Sequence, residues 1–276
     1  MRIAVIVPCF NDGPLVTGAV ESLKGALEPL ELVVVDDGST EAGTIEVLDG
    51  LRAKGVEVLR QENTGLPGAR MAGLAATTAP YVFPLDADDL AVPETLTPMA
   101  DRLDANPALA ACFADYVEFG DREELVRGVP ARLDPFRLAY VNEYPVTALF
   151  RRTALEAVGG WKAIRWGYED WDLWMGIAEH GFAAEHLGAG QVSHRRRLGG
   201  ERMLAGAKRK HRTLYKELRR RHPRLFADVR THRRASDLSP LRKLLYPVVY
   251  GGRPRFAFEA RAKALLDRSG VWTLRR

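Results

Sequence analysis

Along the first hundred residues, short unbroken apolar runs alternate with stretches whose apolar positions fall three and four apart. The runs RIAVIVP (2–8), ELVVVDD (31–37), VEVLRQ (56–61) and YVFPL (81–85) are rich in β-branched residues. Unbroken apolar runs predict strands covered on both faces, as in parallel sheets. Between them, 14–27, 44–55, 67–77 and 93–105 carry helical spacing; Leu15, Val16, Ala19, Val20, Leu23 and Leu27 mark the first helix, and Gly55 stops the second. The expected fold is α/β, a mostly parallel Rossmann-like sheet with helices on both faces. Parallel neighbours require crossovers, and ligands in such sheets lie beyond the carboxyl ends of the strands.

After residue 106 the alternation loosens. Runs 108–119 and 146–150 predict strands with an irregular stretch between them; 151–158 and 166–182 predict helices closed by Gly159-Gly160 and Gly181. In the second helix Leu173, Ile177 and Trp174 are the core candidates. From about 200 the pattern is helical and basic, broken by Pro223, Pro240, Pro247 and Pro254. The organisation expected is one domain over 1–200, in two halves (1–105 and 106–200), followed by a basic helical extension over 201–276.

Composition narrows this picture. At 46% hydrophobic and 28% charged the chain can bury a core. Cys9 and Cys112 make no disulfide framework, which suits a reducing, cytoplasmic setting. The N-terminal apolar run is too short for a signal peptide, and no run reaches the roughly 18 apolar residues of a membrane span. The net charge of +4 hides an asymmetry: from Arg195 onward 25 Lys and Arg face 6 Asp and Glu, leaving the rest at −15. A basic helix such as 208–226 can pack on the domain, lie on anionic lipid at the inner face of a cell membrane, or bind nucleic acid. Nucleic acid is not expected, because no recognition signature is present and an acidic body repels phosphate.

The chemistry clusters at the strand ends. In VVVDDGST, Asp37 can hydrogen-bond a base or ribose, or cap the next helix. In NTGLPGARMAGLA, two glycines permit close backbone approach and Arg70 offers a fork to phosphate or base, or is a surface Arg. In LDADD, Asp86 and Asp88 can reach one hard cation together with phosphate oxygens, and the cation would offset the repulsion among Asp86, Asp88 and Asp89. The alternative is a solvated acidic turn capping the next helix, the expectation for Asp89.

Together VPCFND, VVVDDGST, ENTGLPGARMAGL, PLDADD and WGYEDWDLW, in this order, resemble glycosyltransferase family 2 on the GT-A nucleotide-sugar fold, over about residues 1–200. The resemblance implies an inverting, metal-dependent transfer from a nucleotide sugar (UDP, GDP or dTDP linked) to a hydroxyl of a saccharide, lipid-linked or small-molecule acceptor. It implies Asp88 as ligand to Mn²⁺ or Mg²⁺, Asp86 nearer the ribose, and Asp37 and Arg70 near the base. The Pro8 region would line the base pocket, and Asn63 would join the donor site or hold its loop. An inverting transfer needs a base to take the acceptor proton; by similarity Asp170 is that base, with Glu169 and Trp166 at the acceptor. Acids at a helix start also complement its dipole without catalysis. His194 would complete the metal sphere, as a neutral imidazole can. Arg195, Arg196 and Arg197 can neutralise the diphosphate leaving group or an acceptor phosphate, or form a solvated run. A sugar nucleotidyltransferase shares the sheet and acidic turn, but its basic phosphate loop is missing from PCFNDGP. A non-catalytic nucleotide-sugar-binding protein would not need the Glu169-Asp170 pair.

Overall fold

The computed structural model describes residues 1–120, 125–165, 167–198 and 210–250. The elements are β1 (Ile3–Cys9), α1 (Gly13–Ser22), β2 (Leu30–Asp36), α2 (Ala42–Ala53), β3 (Glu57–Arg60), α3 (Leu66–Ala76), β4 (Tyr81–Pro84) and β5 (Leu90–Ala91). Then come α4 (Leu96–Ala105), β6 (Leu109–Phe113), β7 (Asp115–Gly120), β8 (Leu125–Arg127), α5 (Pro135–Leu138), β9 (Leu149–Arg151), α6 (Arg152–Val158), α7 (Glu169–Glu179), β10 (Ala183–His186) and β11 (Val192–Leu198). The helices α8 (His211–Arg221), α9 (Pro223–Ala227), α10 (Val229–Ala235) and α11 (Pro240–Tyr250) follow.

The large sheet has the order β10-β6-β9-β4-β1-β2-β3. The pairs β1–β2, β2–β3, β1–β4 and β6–β10 are parallel, and β9 alone runs against its neighbours β4 and β6. Every residue of β1 is buried, as an unbroken apolar run requires of a central strand. Pro8 lies beyond the last β1–β4 pair, Ile6–Pro84, where a missing N–H interrupts no ladder. One core cluster packs α1, α2 and α4 against one face; a second packs α3, α6 and α7 against the other.

A second sheet, β5-β11-β7-β8, stands beside the first. The single strand expected over 108–119 is therefore two. β6 belongs to the large sheet, and past Ala114 the chain enters β7 of the small one. QVSHRRR, for which no strand was expected, is most of β11, and the acidic turn is tied to it through β5: His194 pairs with Ala91 and Arg195 with Leu90. The α7 helix starts later than its pattern suggests, because Gly167 and Tyr168 hold φ of 113° and 72°. Leu173, Trp174 and Ile177 are buried as expected.

The basic helix α8 packs on the body of the fold, against α7. Its apolar side, Leu214, Tyr215 and Leu218, is buried, and Tyr215 and Leu218 share a cluster with Trp171 and Trp174 of α7. The Tyr215 hydroxyl donates to Ala139 O at 2.7 Å. At the helix end, His222 meets Asp172 and Glu179 of α7 at 3.0 and 3.1 Å. Leu218 is fully buried, so Leu218→Ala should cost about 2–5 kcal/mol, measured by urea unfolding.

Candidate active site

The strand ends of the large sheet and the start of α7 meet around Arg70. Arg70 is one helical turn into α3, 1% exposed. Its Nη2 donates to Asp86 Oδ1 at 2.6 Å, and its Nη1 lies 3.8 Å from Glu169 Oε1. Burial works against its charge, yet Asp86 and Glu169 beside it hold its pKa above the ordinary value. Its Nε and Nη1 are buried without a hydrogen-bond partner. Arg70 therefore ties the end of β4 to the first turn of α7.

Asp170 is half-buried at that first turn. Its Oδ2 accepts from Asn142 Nδ2 at 2.9 Å and its Oδ1 from Trp171 N at 2.8 Å. Burial pushes the Asp170 carboxyl up, against the Trp171 N–H and Arg70. Glu169 is raised by burial and by Asp170, with Arg70 opposing. Tyr168 in the left-handed region supplies the turn that aims the pair, and such strain is typical of functional sites.

The acidic turn forms the other wall. Burial, then Asp86 and Asp12, push the Asp88 carboxyl up. Asp89 rises to about 8 through burial, Asp86 and Asp88. Its Oδ1 accepts from Arg197 N at 2.8 Å, so Asp89 clamps β11 rather than capping the next helix. Asp12, immediately before α1, is also raised by burial and by Asp86.

β11 sorts its three arginines by face. Arg195 and Arg197 lie over the Phe119 ring at 5.0 and 4.7 Å. Arg196 is on the opposite face with His194 and counteracts the raised pKa of Asp88, Asp89 and Asp170. His194 is buried, stacks on Tyr116 with centroids 5.2 Å apart, and has its Nδ1 3.0 Å from Ser193 Oγ. Burial, then Arg196, lowers its pKa to about 3.

Comparison with known proteins decides the family. Residues 4–159, more than half of the chain, match the family described as Glycosyl transferase family 2. The chain belongs to glycosyltransferase family 2. The uncharacterized glycosyltransferase YibD of Escherichia coli is 34% identical over 137 residues, 47% of this chain and 38% of its own length. Glycosyltransferase GlyG of Streptococcus pneumoniae is 33% identical over 111 residues, 38% of this chain and 36% of its own. The chain thus spans under two fifths of these curated relatives. Among solved structures, S. aureus TarS 1–349 in complex with UDP-GlcNAc superposes with a TM-score of 0.62 at 19% identity, over 89% of this chain and 70% of that one. Mannosyltransferase PcManGT from Pyrobaculum calidifontis, in complex with GDP-Man and Mn²⁺, gives 0.57 at 23%, over 96% and 80%. The fold is GT-A.

Within this member of family 2, Asp86, Arg70, Glu169 and Asp170 form one charge network. The charge of Arg196 acts to lower the pKa of Asp88, Asp170 and His194 alike. Asp37 is spent locally: Oδ1 accepts from Thr64 N at 2.9 Å and Gln61 Nε2 at 2.7 Å, and Oδ2 from Gly65 N at 2.8 Å. It shapes the loop that leads into α3. Asn63 is exposed on that loop. The loop's backbone passes so close to Gly38, at φ 79°, that a Cβ there would meet Asn63 N at 2.9 Å. Pro8 is buried in β1. Trp166 lies outside the described residues, and Trp171 is core, its Nε1 donating to Leu138 O at 2.8 Å. Two site residues were not singled out from sequence. Asp12 stood inside the quoted VPCFND, whereas Asn142 lies in an irregular stretch with no pattern to mark it.

Among the described residues no three His, Cys, Asp or Glu side chains converge to enclose a cation. The donors nonetheless fit an open site. Asp86 and Asp12 raise the Asp88 carboxyl, burial favours the neutral imidazole of His194, and Mg²⁺ or Mn²⁺ is commonly held by one or two carboxylates plus substrate phosphates.

Proposed function

We propose that this family 2 enzyme is an inverting, divalent-metal-dependent transferase, moving a sugar from a UDP-, GDP- or dTDP-linked donor to a hydroxyl of a saccharide, lipid-linked or small-molecule acceptor. The observation that carries it is the Arg70 bridge, which joins the acidic turn to the helix start bearing Asp170. In this reading Asp170, raised by burial, takes the acceptor proton as the hydroxyl attacks the anomeric carbon. Asn142 and the Trp171 amide fix its rotamer. Arg70 orients Asp86 toward the ribose, with Asp37, Asn63 and the Pro8 region shaping the base pocket. Asp88 and Nε2 of His194 would hold Mn²⁺ or Mg²⁺, which when bound stabilises the departing nucleoside diphosphate. Arg196 faces the same diphosphate. Glu169 and Trp166 are assigned to the acceptor side.

The test is a thermal-shift panel of nucleotides and nucleotide sugars with Mn²⁺ or EDTA. One base should raise Tm, because a ligand that binds only the folded state stabilises it. Asp88→Asn should abolish the Mn²⁺-dependent increment, and an equal shift in EDTA would sink the metal role. Arg196→Met should lower transfer about 10²-fold, whereas Arg195→Met, facing Phe119, should leave it within a few-fold; radiolabelled donor turnover separates the two.

Among the described residues no helix is long and apolar enough to cross a membrane. Leu241, Leu244 and Val248 are exposed at helical spacing on α11, beside Arg242 and Lys243. This supports the further reading of peripheral contact with an anionic bilayer.

A further inference from the structure

A cavity of about 610 Å³ opens between the segment leading into α7 and α8. Ile164 and Leu214 supply apolar lining, and Leu214 is 2% exposed at its base. Arg165, Lys216, Arg220 and Arg221 bring positive charge to it, and Thr213 a hydroxyl. Arg165 and Lys216 are exposed, so their charges reach solvent at the mouth. Glu217 is the single carboxylate among the described lining residues, and it is already committed. It accepts from Arg220 at 2.7 Å and from Arg221 at 2.9 Å, and those two arginines lower it to about 2. Arg221 is anchored further, to Ala163 O at 3.1 Å and toward Asp172 at 3.6 Å. Among the described lining residues four cations thus stand against one carboxylate, with Asp172 behind Arg221.

The two walls of this cavity meet next to the chemistry. Gly167 N donates to Ile164 O at 3.2 Å, and the Tyr168 hydroxyl lies 2.9 Å from Nδ1 of His211, the first residue of α8. Tyr168 immediately precedes Glu169 and Asp170. A group seated among Arg165, Lys216 and Arg220 is therefore held by the same two segments that frame the proposed base.

We propose that this cavity is an anion subsite for the acceptor, taking a phosphate or phosphodiester group, so that the enzyme's acceptor is phosphate-bearing. This rests on the transferase reading for the word acceptor, though not for the binding of the anion. Phosphate suits the site because it presents several acceptor oxygens to guanidinium and ammonium donors. A lipid headgroup and a soluble phosphorylated glycan offer the same chemistry.

The full chain and a Lys216→Ala/Arg220→Ala double variant separate these outcomes. Both side chains are exposed, and Arg221 still pairs with Glu217 without Arg220. Tripolyphosphate binding is measured by calorimetry in EDTA. Wild type should bind, and the double variant should bind about tenfold or more weakly. Equal binding by both, or none by wild type, overturns the subsite. Sedimentation with phosphatidylglycerol and phosphatidylcholine vesicles distinguishes the sources: cavity-dependent preference for the anionic vesicle assigns a lipid headgroup, and its absence alongside tripolyphosphate binding assigns a soluble phosphate. The nucleotide thermal shift with Mn²⁺ should be the same in both proteins. If that shift is missing while cavity-dependent anion binding persists, the transferase reading fails, the acceptor assignment goes with it, and the anion site stands.

Discussion

Asp170→Asn should lower turnover by about 10²–10⁴-fold, the range for loss of a positioned general base, while donor binding stays near wild type. The substitution is nearly isosteric. Its Oδ1 can still accept the Trp171 amide, which keeps that bond at the α7 start, while its amide nitrogen no longer accepts from Asn142. What is lost is the basic oxygen. Because burial raises the Asp170 carboxyl, its conjugate base is stronger than a solvent-exposed carboxylate. The sign of the pH effect follows. The base must be ionised, so kcat/KM falls as pH drops through a pKa lying above the ordinary value of Asp. Glu169 is adjacent and also raised, so the acid limb belongs to the pair. In Asp170→Asn the residual activity should lose that dependence. Initial rates across pH, with donor affinity measured separately, check both points. Full turnover by a folded Asp170→Asn enzyme would remove the base assignment.

The pattern of apolar residues carried most of the large sheet, because a central parallel strand must be apolar on both faces. RIAVIVP has no other way to be buried, and the acids that follow each run fall at the sheet's carboxyl edge. The small sheet was not legible for the opposite reason. In β11 neither face is apolar: one carries His194 and Arg196 toward the acids, and the other carries Arg195 and Arg197 onto Phe119. A strand whose two faces are both polar has no period-2 signal. The same burial logic hid the break at Ala114, since β6 and β7 read as one apolar run although they serve different sheets. Asp89 shows a third limit. Its carboxylate bonds the Arg197 amide 108 positions away, a partner that local capping rules cannot supply. The Asp170 partner Asn142 has likewise no local signature, whereas the paired acids that it serves stood out by spacing.

Arg70→Met should cost about 3–5 kcal/mol of stability, the range for removing one partner of a buried ion pair, and should also remove most activity. Met keeps much of the apolar stem, so packing in α3 against the sheet survives better than in an Ala variant. The loss is electrostatic. Asp86 would lose the 2.6 Å bond to Nη2, and Glu169, 8% exposed, would lose the nearest positive charge. Both carboxylates already face Asp88 and Asp170, so unpaired charge is relieved by protonation or by movement of the acidic turn away from α7. Arg70→Lys should not rescue the function. A single ammonium cannot meet Asp86 and Glu169 together, which the guanidinium does from two nitrogens. Lys should recover part of the stability through its charge, and little of the turnover, because the spacing between the strand end and the helix start depends on the fork. Urea unfolding and transfer rates measured on wild type, Met and Lys variants separate the two contributions. If Lys restored both in full, Arg70 would be acting as a charge alone, and the bridge between the acidic turn and Asp170 would not need its geometry.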